Sequence, residues 1–127
     1  MNNEIKSLPM VALRGMTIMP EMVVHFDVSR ERSLVALQEA MVEEQKIFLT
    51  AQKSIDTEDP GIEDVYEIGT VGTIKQIIKL PNHIVRVLVS GEMRGRLLEI
   101  EFEEPYLRAK VELIDESGIA IPDDLNG

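Results

Sequence analysis

Two histidines, twenty-three carboxylates and no cysteine bound the chemistry open to this chain. His25 and His83 fall on different segments, and without a thiolate they do not assemble a zinc ligand set. The acidic stretch Asp56 to Asp64 has the charge for calcium but lacks the alternating oxygen ligands of a calcium loop. Gly69 and Gly72 sit inside a strand pattern and open no helix, so they form no phosphate-cradling loop. His25 and Asp27 share one strand face, where both are expected to point outward rather than to act as a dyad. No serine stands in a nucleophile elbow, and no lysine can be tied to one. The residues therefore predict no catalytic, metal or cofactor site.

Binding is the better prospect. Met16, Ile18, Met19 and Met22 cluster around Pro20, too irregularly for a buried strand. Methionine is flexible and polarisable and recurs where varied apolar partners are accepted. These side chains either cap the open end of a β-rich core or expose their outer members to an apolar substrate, and both can hold in part. A second candidate is electrostatic. Between Gly69 and Leu98 five basic residues, Lys75, Lys79, Arg86, Arg94 and Arg96, face one carboxylate, Glu92. Five minus one leaves +4 there, in a chain of formal charge −10. This is either a solvated hairpin or a contact surface for acidic segments, such as the acidic face of a neighbouring copy.

The elements that must position these residues follow from periodicity. An opening strand runs through MVAL to Arg14-Gly15, followed by the apolar loop. VVHFDV alternates, with Val24, Phe26 and Val28 expected inward. Ser29 is placed to cap a helix with Glu31 in its first turn. Leu34, Leu37 and Met41, flanked by Val35 and Val42, form the stripe expected to be buried, and the helix should end near Lys46. IFLTAQ reads as a strand, and Ser54 to Asp64 as an acidic loop. Strands follow over Gly69 to Leu80 and Ile84 to Val89. Gly91 and Gly95 are expected to mark a turn before LLEIEF, with Leu98, Ile100 and Phe102 inside. The last strand, YLRAKVELI, sets Leu107, Ala109, Val111 and Leu113 against Tyr106, Arg108, Lys110 and Glu112. Six strands and one helix on short connections predict a mainly β (α+β) fold, a small barrel with the helix plugging one end. Residues 1–116 are expected to form the domain. The aperiodic tail, 117–127, is expected to be a linker toward something that follows.

At 127 residues the chain suits one domain, and its 44% hydrophobic and 28% charged content is ordinary for a globular protein. No apolar run is long enough to span a membrane, and the start lacks the core of a signal peptide, so a cytoplasmic protein is expected. The negative charge disfavours nucleic acid and anionic lipid, and aromatics at 4% offer few stacking platforms.

The blocks VALRGMTIMPEMVVHFDVSRERSLVALQEAM, IFLTAQKS, EDVYEIGTVGTIKQIIKLPN and VRVLVSGEMRGRL, in this order, resemble the amino-terminal domain of the Lon family of ATP-dependent proteases. The likeness runs from Leu8 to about Glu116, with two departures. Glu21 stands where the family commonly has glycine after the loop proline, and Gly15 where it often has an acidic residue. The resemblance implies a PUA-like six-stranded pseudobarrel with one principal helix. It implies a non-catalytic module contributing to recognition of unfolded or tagged proteins and to contacts within a hexamer, with pairing of isolated copies. ATP, magnesium and a serine–lysine dyad would belong to ATPase and protease domains outside this chain. The alternatives are a stand-alone adaptor or regulator built on the same domain, and a PUA-type RNA-binding module whose only support is the basic hairpin.

Overall fold

The computed structural model describes residues 4–58 and 60–114. The linker read over 117–127 lies outside the described residues. In chain order the elements are β1 (Ile5–Leu13), β2 (Val23–Val28), α1 (Glu31–Val42), β3 (Lys46–Ala51), a short 3-10 turn (Ile62–Asp64), β4 (Ile68–Leu80), β5 (Ile84–Phe102) and β6 (Arg108–Ile114). The strands form one six-stranded sheet that closes on itself. β1 pairs in parallel with β3, and β3, β4, β5, β6 and β1 then pair antiparallel in turn, completing a ring. β2 stands outside this ring, antiparallel to the first half of β5.

The closed arrangement buries two apolar clusters rather than one. β1 alternates so that Leu8, Met10 and Ala12 enter the ring interior, with Phe48, Val71, Leu97, Ala109 and Val111. Its other face presents Val11 and Leu13 to a second cluster with Phe26, Val28, Ile47, Ile74, Val87 and Val89. α1 covers that second cluster, packing on β1 and β3. The helix thus lies across a sheet face and does not plug the end of a barrel. Strands buried on both faces need continuous apolar sequence, which PMVAL and KIFLTA supply.

Three local expectations are corrected. The buried face of α1 is Ser33, Ala36, Leu37 and Ala40, while Met41 is exposed and Val42 is 80% exposed. Small residues let the helix axis approach the sheet, so the close-packed side carries less hydrophobic signal than its flank. Ser29 does not cap α1 either. Arg30 is the N-cap and makes no side-chain capping bond, and its guanidinium Nη2 instead donates to Ala12 O at 2.7 Å, tying the helix start to β1. The helix ends at Val42 because Glu44 and Gln45 take left-handed φ values of 68° and 67°.

The third correction concerns Gly91 and Gly95, which lie inside a single 19-residue strand and not at a turn. β5 bends by register shifts between Leu97 and Glu99 and between Ile100 and Phe102. Such bulges break strict alternation, so Leu97 is buried while Leu98 and Phe102 are exposed. The expected inward faces of β2 and β6 hold: Phe26, Val28, Leu107, Ala109 and Val111 are buried, and Val24 and Leu113 are partly so. Tyr106, read onto the opposite face, is buried as well, in the second cluster. No helix among the described residues is long and apolar enough to cross a membrane.

Candidate functional site

The chain leaves β1 at Arg14 and Gly15 and crosses to β2 through a segment fixed at both ends and in the middle. Ile18 is only 4% exposed and belongs to the second cluster. Its carbonyl accepts the hydroxyl of Thr70, itself buried on β4. Ile18 thus anchors the loop through its buried side chain and its carbonyl, and it lines the inner wall of the cleft described below. Met16 is partly buried against the same cluster. Met19 and Met22, 42% and 40% exposed, are the members that reach the surface.

Between them lies a β-turn. Met22 N–H donates to Met19 O at 3.2 Å, Pro20 takes the second position and Glu21 the third, with φ +71°. A positive φ at the third position is the mark of a type II turn, where glycine is favoured. Glu21 therefore holds under strain a turn that favours glycine at its position. A left-handed conformation costs a non-glycine residue about 1–2 kcal/mol, part of which glycine gives back as backbone entropy. Glu21→Gly is accordingly expected to stabilise the chain by about 0.5–1 kcal/mol, read as a higher urea midpoint at unchanged slope.

The turn is clamped onto the middle of β5. Glu21 N–H donates to Gly91 O at 2.9 Å, and Gly91 N–H donates to Met22 O at 2.8 Å. A Cβ on Gly91 would come within 2.6 Å of Met19 O, so this approach requires glycine. Beside the turn opens a cleft of about 340 Å³. Met19 and Arg94 form one side, with the Arg94 Nη2 3.9 Å from the Met19 sulfur, and Tyr66 and Ile68 the other. Tyr66 and Ile68 are exposed, yet the Tyr66 backbone is fixed by Thr50 Oγ1 donating to its carbonyl at 2.7 Å. Neither was visible as a site residue in the sequence, because the cleft joins four separated segments. Their one signal was two large apolar residues in an acidic stretch, EDVYEI.

The basic set does not form one uncompensated surface. Arg86 is held by Asp27 on β2, with Nε and Nη2 donating at 2.8 and 3.1 Å. The paired guanidinium holds the Asp27 carboxyl below the usual carboxylate range. Arg96 lies 3.5 Å from Glu67 and 3.7 Å from Glu112. Arg94 turns to Met19, while Lys75 and Lys79 remain exposed on β4. Burial raises the Glu92 pKa, but Lys46 and Thr73, which both donate to it, outweigh that and hold it low. His25 is exposed beside the Asp27–Arg86 pair and His83 sits in the β4–β5 turn. Gly69 and Gly72 lie within β4, where a Cβ would meet the β3 and β5 backbones, so no phosphate cradle is built there.

Comparison with known proteins places this geometry. Residues 7–126 match the family model described as the ATP-dependent protease La (LON) substrate-binding domain. The chain is 47% identical over 116 residues to the Lon protease of Desulforamulus reducens and 51% over 107 residues to that of Clostridioides difficile. These alignments cover 91% and 84% of the chain but 14% of each relative, so the chain spans about a seventh of the curated relatives it matches. Among solved structures, the N-terminal domain of Mycobacterium avium complex Lon protease aligns with TM-score 0.66 and 19% identity, over 96% of this chain and 58% of that one. The Lon N-terminal domain protein from Xanthomonas campestris aligns with TM-score 0.66 and 16% identity, over 87% of this chain and 60% of its own. At those identities the structural agreement concerns the fold.

Proposed function

The chain belongs to the Lon substrate-binding domain family, and on that premise we propose that it grips unfolded protein segments through Met19 and Met22 for a longer, ATP-dependent serine protease. Residues 117–127 would lead toward a helical region, and nucleotide, magnesium and peptide-bond chemistry would reside in domains beyond it. The chain would work in the cytoplasm, and contacts between copies would support the assembled hexamer. The observation that carries the reading is the clamped turn, which exposes two flexible thioethers, Met19 at the mouth of the cleft with Tyr66 and Ile68 and Met22 on the surface at the other end of the turn. Hydrogen bonds at Gly91 and Thr70 hold the backbone, so a substrate orders side chains but not main chain.

Magnitudes favour a weak, permissive grip. Burying one apolar side chain gives roughly 1.5–3 kcal/mol, while association costs at least about 4 kcal/mol. Three such side chains at the upper end of that range leave at most about 5 kcal/mol, a dissociation constant on the order of a few hundred micromolar or weaker. Tethering several copies raises the effective concentration and supplies the remaining avidity. The test is NMR titration of the chain with unfolded casein. Shifts are expected at Met19, Met22, Tyr66 and Ile68, and Met19→Asp with Met22→Asp should weaken binding about tenfold or more with the fold intact. Unchanged affinity in a folded double variant would reduce the methionines to packing.

A further inference from the structure

Of the six strands, β2 is the one that pairs with a single neighbour, β5, along its whole length. Its orientation follows from the clamp. Because Gly91 N–H bonds Met22 O, the alternation of an antiparallel ladder turns the N–H and C=O groups of Val23, His25 and Asp27 away from β5. Another strand stretch with a single neighbour is β4 from Lys75 to Leu80, beyond its partner β3, and it is guarded. It carries Lys75 and Lys79 and a register shift between Ile74 and Gln76, devices that discourage further pairing. Val23–Val28 carries no proline, lysine or bulge, and its one carboxylate is paired with Arg86. Beside it lies a cleft of about 180 Å³, with Phe26, Asp27 and Val28 on one wall and Leu13 and Met16 on the other.

We propose that the outer edge of β2 accepts an extended, uncharged apolar segment of unfolded polypeptide as an additional strand. The proposal rests on the reading of the chain as a substrate-gripping domain and adds how the substrate's main chain is held. Every polypeptide has the same amide spacing, so strand addition supplies grip without sequence selection, while alternate side chains choose apolar segments. Residues of one parity would face the Met16 and Phe26 side of the cleft. Val23, 62% exposed, offers apolar area on the opposite face. The edge begins where the Met19–Met22 turn ends, so one segment can meet both. A second copy is the less fitting occupant, because each carries a formal charge of −10 and close approach is opposed.

The test uses a short fluorescent peptide of alternating valine and threonine, and two versions N-methylated at alternate amides along one edge or the other. Methylating the edge that faces β2 should weaken binding about tenfold or more, and methylating the far edge should leave it within about twofold. His25→Pro removes an outward donor from β2 and should reproduce the loss, whereas His25→Ala should not. If neither methylation matters while Met19→Asp with Met22→Asp abolishes binding, side chains alone hold the substrate, and strand addition is wrong although the gripping reading survives. Absence of binding by every peptide would remove both. A concentration-dependent dimer in sedimentation, lost on His25→Pro and unaffected by peptide, would assign the edge to a second copy and overturn the proposal. Should His25→Pro unfold the chain, the methylated peptides on the unaltered protein still decide.

Discussion

Replacing Phe48 with alanine is expected to cost about 3–5 kcal/mol, the range for deleting a fully buried aromatic ring. Phe48 is completely buried at the centre of the ring interior, among Met10, Val71, Leu97, Ala109 and Val111. Its ring occupies a notch left by two glycines on neighbouring strands. A Cβ on Gly69 would come within 2.9 Å of Phe48 Cζ, and one on Gly95 within 3.1 Å of Phe48 Cε1. The wall cannot easily relax around the hole, because Phe48 is paired with Met10 on one side and Val71 on the other. The two glycines supply an internal check. Gly95→Ala also meets a Val111 methyl at 2.6 Å and Gly69→Ala the Leu49 carbonyl at 2.4 Å, so each should destabilise alone. Combined with Phe48→Ala, Gly95→Ala should cost less than the sum, since part of its crowding has been removed. Gly69→Ala should remain costly, since its closest neighbour is backbone. Urea unfolding of the singles and the doubles reads all of this directly. Additive costs in the Gly95 pair would contradict the notch.

Arg108→Met should cost about 2–3 kcal/mol and alter how stability responds to acid. The guanidinium of Arg108 donates from Nη1 and Nη2 to both oxygens of Glu43 at 2.9 and 2.8 Å. It also donates to the Tyr106 hydroxyl at 2.8 Å, to Ser7 Oγ at 2.7 Å and to Ser7 O at 3.1 Å. One side chain thus joins the end of α1 to β1 and β6. Arg108 is mostly buried while Glu43 is about a third exposed, which places the cost between that of a surface pair and a fully buried one. The hydrogen bonds from Arg108 hold the Glu43 carboxyl below its ordinary value of 4.5. A depressed folded pKa means that the unfolded chain takes up the proton first. The contribution is therefore fully present above the unfolded pKa and is lost as pH falls through the folded one. Unfolding free energy of the parent should fall as pH drops below about 4.5, and Arg108→Met should lack that component. Parallel pH profiles for the two proteins would contradict the assignment.

How much of this was legible beforehand depended on whether the signal was local. Alternation in VVHFDV and in LRAKVELI reports the faces of β2 and β6 because each side chain's environment is set by its own strand. The family resemblance and the six-strand, one-helix plan are likewise carried by contiguous blocks. α1 was legible as a helix with Leu37 buried and Leu34 and Val35 packed beside it, but Ser33, Ala36 and Ala40 were missed, since they pack closely because they are small. β5 hid its continuity behind Gly91 and Gly95, which resemble turn residues in sequence and serve close approach in space. The compensation of Arg86 by Asp27 and of Arg96 by Glu67 and Glu112 depends on strand pairing that no charge count contains. The same holds for the cleft. Met19 was visible as a candidate, whereas Tyr66 and Ile68 join it only through the ring, and Ile18 looked like its neighbours until Thr70 claimed its carbonyl.

β5 belongs to the ring through β6 and to the outer sheet through β2, and the Met19–Met22 turn is fastened to it near its midpoint, at Gly91. A load arriving at the turn therefore enters an unbroken main chain and spreads lengthwise into the ladders on either side. Rows of amide bonds strained in parallel resist such sliding far better than bonds opened one after another. The gripping loop is anchored like a hook bolted through a beam, so a segment dragged from it would slip off the methionines before the domain came apart.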